Sequence, residues 1–193
     1  MYKVEVTTWY LDYQGSEPQQ VSWPKDCQLV EAKVACPELN QFMFRAVGSH
    51  WRWFSRLSWN YQQWLDYLTA GNVRTWLLHV QGTPAGYMEL IKHTDLSVEI
   101  KFFGLLPQFV GKGLGNLLAK SAVYQASCWQ ASRIWLHTCS ADHPSALTNY
   151  QKAGFVITNT EQDMAALPEH DDPRLLSADF VYSSLQYHAK SAG

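Results

Sequence analysis

Apolar and polar residues alternate through residues 98–103 and then change rhythm. Val98, Ile100 and Phe102 fall on one face of an extended chain, and Glu99, Lys101 and Phe103 on the other. From residue 114 the apolar spacing becomes helical, with Leu114, Leu117, Leu118, Ser121 and Ala122 on one side. A second strand pattern covers 133–139. The helix after it has Asp142, His143 and Pro144 at its start and stops at Gly154. Phe155 opens a further strand, so the order is β-α-β-α-β. Upstream, residues 2–13 alternate as a strand and 14–28 read as a connection. Residues 29–35 predict a strand, 37–47 a helix opened by Pro37, and 61–68 a second helix stopped near Gly71. Residues 74–80 and 85–92 form a hairpin around Gly82-Thr83-Pro84. The polar, acidic stretch 161–177, with Pro168 and Pro173, predicts a long loop, and 180–187 a closing strand.

The junction between strand and helix carries the chemistry. Glycines stand at 111, 113 and 115, where the chain turns into the helix. Without a Cβ, such a loop can aim several N–H groups into one concavity. The first N–H groups of a helix lack internal partners and carry partial positive charge. Together they form a seat for a phosphate or pyrophosphate. The spacing is neither of the two common glycine loops. Gly115 is followed by Asn116 and Leu117 rather than Lys and Ser or Thr, and the third glycine falls one residue short of a dinucleotide fingerprint.

Two motifs at this separation resemble the GNAT superfamily of acyl-CoA-dependent N-acyltransferases. The family's loop has Gln or Arg, two free positions, Gly, one free position, then Gly or Ala. Here it reads Val110-Gly111-Lys112-Gly113-Leu114-Gly115, with Val110 in place of Gln or Arg. The later motif matches at Ala146, Tyr150, Gly154 and Phe155. The resemblance covers residues 74–160 well. It implies an α/β fold: a GNAT-like mixed, partly splayed sheet of six to seven strands with helices on both faces. It places a strand bulge near Phe103 or Gly104. It implies acetyl-CoA as acyl donor, with its pyrophosphate on the amides of 111–115 and its pantetheine along Phe103, Gly104 and Leu105. Tyr150 would protonate the departing thiolate, and Glu99 lies where a general-base glutamate sits in the histone-acetylating branch. Asn149 and Lys152 flank Tyr150 and would meet the pantetheine arm or a phosphate. Glu89 competes with Glu99 as base, and His137 or His143 with both. The reaction expected is direct attack by the amine in a ternary complex; a non-catalytic acyl-CoA-binding or sensing module is the alternative.

The stretch 48–64 is dense in rings. Trp51, Trp53 and several neighbours, with Arg52 and Arg56, fall where the family places its acceptor side. They would line a pocket for an amine, with cation–π contact as one means of recognition. A small-molecule or peptide amine is the expected acceptor. The alternative is that the rings pack helices onto the sheet.

Composition narrows the rest. The 193 residues fit one domain, 47% of them hydrophobic, with net charge −2. Within it, 1–28 hold the first strand and connection, 29–160 the acyl-CoA-binding body, and 161–193 the loop and closing strand. That charge balance carries no nucleic-acid footprint. The cysteines at 27, 36, 128 and 139 form no zinc spacing, so no metal is expected. With no apolar signal run and no membrane-length stretch, a cytoplasmic protein with free thiols is expected, with a homodimer left open.

Overall fold

The computed structural model describes residues 2–48, 51 and 53–167. Its strands are β1 (Tyr2–Tyr13), β2 (Cys27–Glu31), β3 (Val73–Val80), β4 (Thr83–Lys92), β5 (Val98–Leu105), β6 (Ile134–Cys139) and β7 (Phe155–Leu167). Its helices are α1 (Pro37–Gly48), α2 (Tyr61–Thr69), α3 (Leu114–Cys128) and α4 (Ala146–Lys152). Helix starts follow local chemistry. Pro37 supplies a preset φ where its missing N–H costs nothing, and Glu38 complements the positive end of the dipole. Asn60 and Gln63 cap each other's backbone N–H at the start of α2.

The seven strands form one mixed sheet in the order β2-β3-β4-β5-β6-β1-β7. Neighbours are antiparallel except β5 and β6. That parallel pair is registered only at Val98↔Ile134 and Glu99↔Trp135, and the strands then part. One face packs on α3 through Val98, Ile100, Leu118, Ala122 and Leu136. The other takes α1 and α2 through Phe44, Trp64, Met43 and Tyr87. The mixed, splayed sheet with helices on both faces is therefore present as expected.

Three expectations need correction. The bulge lies at Lys101, ahead of Phe103 and Gly104: Ile100 pairs with Leu90 and Phe102 with Glu89, leaving Lys101 unpaired. This reverses the alternation beyond it. Phe102 joins the α1 and α2 side, and Phe103 and Leu105 pack on the α3 side. The second strand is Cys27–Glu31, earlier than 29–35, because its register with β3 runs from Cys27↔Val80 to Glu31↔Trp76. Residues 161–167 are strand rather than loop, paired along β1 up to Tyr2↔Leu167. Their polarity reflects an exposed position as the last described strand of the sheet. The expectations for 168–177 and 180–187 fall outside the described residues.

Candidate active site

The parting of β5 and β6 opens a cleft of about 590 Å³. Its upper wall is the glycine loop. A single 3₁₀ turn, Pro107–Phe109, is pinned by buried Phe109 and brings the chain round from β5. Gly111 and Gly113 then take φ of 82° and 77°, the left-handed region that side chains with a Cβ disfavour. A Cβ at either would meet no protein atom within 4 Å, so the space beside each is open. Gly113 is the N-cap of α3 and offers no side-chain cap, and the first turn holds no acidic residue. The α3 amides thus face the cleft without an internal anion. Gly111, Gly113, Gly115, Val110 and Asn116 line it. The Asn116 side-chain oxygen is buried without a hydrogen-bond partner. With the amide turned over, its NH₂ becomes one more donor beside the loop. These residues fit a pyrophosphate: fixed donors, room for phosphate oxygens and no competing carboxylate.

The lower walls come from Phe103, Gly104 and Leu105 on β5 and from the turn between β6 and α4. Gly104 is required because α1 lies directly on it; a Cβ there would overlap Val47. Tyr150 lines the cleft from α4, its ring 5.7 Å from Phe103 and 6.1 Å from Phe155. Burial, then the Asp142 charge, pushes its hydroxyl well above the usual phenol range, so it holds its proton at neutral pH. Asp142 is itself tied down. It accepts from Thr138 Oγ1 at 2.7 Å, the Cys139 N–H at 3.0 Å and Trp53 Nε1 at 3.3 Å. The last bond links the segment before α2 to the β6–α4 turn across the cleft. Burial, then Asp142, pushes the Cys139 thiol up.

Glu99 lies at the last β5–β6 pair, where the two strands begin to part. Its side chain is 3% exposed, and three basic groups surround it. Lys101 Nζ donates to Oε1 at 3.0 Å, His137 Nδ1 stands 3.3 Å from Oε1, and His93 Nε2 stands 3.2 Å from Oε2. Burial pushes this carboxyl up, but His137 and Lys101 outweigh it and hold it at about 2. Lys101 and His137 line the cleft.

The structure thus brings to one cleft Trp51, Trp53, Phe103, Gly104, Leu105, Val110, Gly111, Gly113, Gly115, His137, Asn149 and Tyr150. Other expected site residues lie elsewhere. Arg56 and Glu89 form a buried ion pair of 2.9 Å beneath α2, away from the cleft. Tyr67 and Asn40 donate to the same carboxylate. Arg56 also lies against the rings of Tyr67, Phe102, Trp59 and Trp64. Much of the aromatic cluster therefore packs helix on sheet and encloses an arginine. Leu114 is a core residue, leaving only its backbone for the loop. Lys112 turns back over Phe109, 5.3 Å from its ring. Lys152 is an exposed cation in the last turn of α4, where the dipole favours it. Arg52 falls outside the described residues.

Residues 36–155 match the family profile described as the acetyltransferase (GNAT) family. The chain belongs to the GNAT family. Solved structures agree on the fold. A GCN5-related N-acetyltransferase from Sphaerobacter thermophilus aligns at 13% identity and TM-score 0.58, covering 86% of this chain and 54% of that one. One from Kribbella flavida aligns at 18% identity and TM-score 0.59, covering 88% and 62%. A Bacillus subtilis acetyltransferase, solved in complex with CoA, aligns at 19% and TM-score 0.51, covering 69% and 78%. The chain thus spans between half and two thirds of the length of the first two. Curated proteins give no match.

Sequence reasoning passed over Asn116 and the tying role of Asp142. Asn116 was legible as the third residue of a helix behind a glycine N-cap, close enough to reach back to the loop. The part played by Asp142 depends on Trp53, 89 residues away in the chain, and no local signal announces it.

Proposed function

We propose that this GNAT protein transfers an acetyl group from acetyl-CoA to an amine, by direct attack in a ternary complex. The observation that carries the reading is one cleft shared by two devices. The left-handed glycines open the head of α3 at one end, and Tyr150, which holds its proton at neutral pH, stands along its wall. Acetyl-CoA is a substrate here, seated by the Gly111–Gly115 amides and Asn116, with its pantetheine along Phe103 to Leu105. The unpaired edges of β5 and β6 where they part supply backbone groups to an amide-bearing arm. Tyr150 delivers its proton to the sulfur as the C–S bond breaks. Cys139, the thiol in the cleft, is kept protonated, which disfavours an acyl-enzyme route. Trp51, Trp53 and Phe54 give the acceptor side an aromatic wall suited to an organic amine. The protein is proposed to act in the cytoplasm; no described helix is long and apolar enough to cross a membrane.

The test is thiol release from acetyl-CoA over a panel of amines and lysine peptides. Wild type should release thiol with at least one acceptor. Tyr150→Phe should lower kcat by about ten- to a thousand-fold with unchanged donor affinity. Donor binding without thiol release from any acceptor would favour the acyl-CoA-sensing alternative.

A further inference from the structure

We propose that His137 is the base that takes a proton from the acceptor ammonium, and that Glu99 is a positioning residue acting through it. The proposal rests on the N-acetyltransferase reading above and settles which of several candidates does the work. Glu99 does not line the cleft; His137 does, and its side chain is 39% exposed. Both Glu99 oxygens are engaged, one by Lys101 and His137, the other by His93. Reaching a substrate would cost it those partners. A carboxylate held at about 2 is also a feeble acceptor for an ammonium proton. An imidazole, by contrast, is the side chain most often used for such a proton transfer.

The ring geometry gives His137 the right edge. Its Nδ1 faces Glu99 Oε1 at 3.3 Å. In the neutral ring the proton therefore sits on Nδ1, and Nε2 carries the free lone pair. The Tyr10 ring packs 6.0 Å away on the β1 side and steadies that orientation.

His143 also lines the cleft, but it is turned the opposite way. Its Nδ1 accepts the Ser145 N–H at 3.0 Å, so its neutral ring holds the proton on Nε2. His143 offers a donor where a base needs an acceptor. Glu89 is 1% exposed and closed in by Arg56, Tyr67 and Asn40.

The groups that face His137 are Glu99 and Lys101 from β5, with His93 behind Glu99, and Tyr10 from β1. Glu161 of β7 accepts the Tyr10 hydroxyl at 2.9 Å, and Cys139 lies two residues along on β6.

One ammonium proton passes to His137 Nε2, and the imidazolium is stabilised by the Glu99 carboxylate. The freed lone pair forms the C–N bond at the thioester carbonyl carbon. The C–S bond breaks, and the thiolate takes the Tyr150 hydroxyl proton. The nitrogen's surplus proton restores Tyr150, and the imidazolium proton leaves to solvent. Amide, thiol and one released proton result, with no redox change.

Two measurements on the full chain decide it. The first is ¹H–¹⁵N imidazole spectroscopy at pH 8, with His137→Gln to assign the signals. Wild type should show the Nδ1–H tautomer at His137, and Glu99→Gln should shift the ring toward Nε2–H. An Nε2–H ring in wild type overturns the proposal.

The second is the kcat/KM pH profile from pH 6 to 9.5, with phenethylamine, spermidine and a lysine peptide as probes. His137→Gln should lower kcat by about 10²- to 10³-fold and abolish the acidic limb, with the acetyl-CoA Kd unchanged. Glu99→Gln should cost about ten-fold and move the limb to lower pH, since the imidazolium loses its counter-charge. If His137→Gln keeps wild-type turnover and acidic limb, the base assignment alone is wrong. If wild type turns over none of the probes, the N-acetyltransferase reading falls and the base assignment with it.

Discussion

Glu89 and Glu99 stand on neighbouring strands, point to the same side of the sheet and are both almost wholly buried, yet they sit in opposite kinds of surroundings. Glu89 is sealed. Arg56, its ion partner, is 4% exposed, and Tyr67 and Asn40 complete a closed set of donors. Glu99 is buried behind partners that themselves reach solvent, with His93, Lys101 and His137 between 32% and 39% exposed. Burial and charge pairing are common to both. What separates a structural carboxylate from one that can serve chemistry is whether its partners open on a cleft. Lys101 and His137 do, and Arg56 does not.

The largest effect should come from removing the partner on the sealed side. Arg56→Ala leaves Glu89 charged and unpaired in the interior. It should cost about 3–5 kcal/mol of stability in urea unfolding at pH 7, with acetyl-CoA affinity of the folded fraction unchanged. A loss below about 1 kcal/mol would mean that Glu89 finds water or another donor and is not sealed.

On the open side the effect should be smaller and tied to pH. The Glu99 carboxyl is held at about 2, below its ordinary value of 4.5. A depressed carboxyl stabilises the fold above its unfolded value, and that contribution fades as pH falls through the folded one. Wild type should lose a few kcal/mol relative to Glu99→Gln between about pH 4.5 and pH 2. Parallel acid-unfolding curves for the two proteins would remove Glu99 from this account.

The smallest effect is expected at Lys101. Lys101 is 32% exposed, so water screens its pairing with Glu99. Lys101→Met should change stability by at most about 1 kcal/mol, read from the thermal midpoint. A loss near that of Arg56→Ala would make the two carboxylates alike after all.

The order of elements and the glycine loop were legible because each is a local pattern. Alternation marked β5, helical spacing marked α3, and glycines marked the turn between them. What stayed hidden depends on partners distant in the chain. The bulge at Lys101 reverses the faces of Phe102 and Phe103, and no residue in 98–105 signals it. Arg56 reads as a pocket-lining cation in a ring-rich stretch until folding brings Glu89, 33 residues on, beneath it. The polar run 161–167 looks like loop because its strand character comes from the pairing partner β1 rather than from its own residues. The candidate site shows the same split. Gly111, Gly113 and Tyr150 were visible as motif positions, whereas the opposed orientations of His137 and His143 are set by Glu99 and the Ser145 amide.

If the open space at the head of α3 seats the donor's pyrophosphate, calorimetric titration of acetyl-CoA will register any side chain placed there. Wild type should bind, and Gly113→Val should show no detectable binding. Valine would carry a branched side chain into the seat and strain a backbone whose φ is 77°. Circular dichroism should confirm that the variant is folded. Unchanged affinity in a folded Gly113→Val protein would contradict the account.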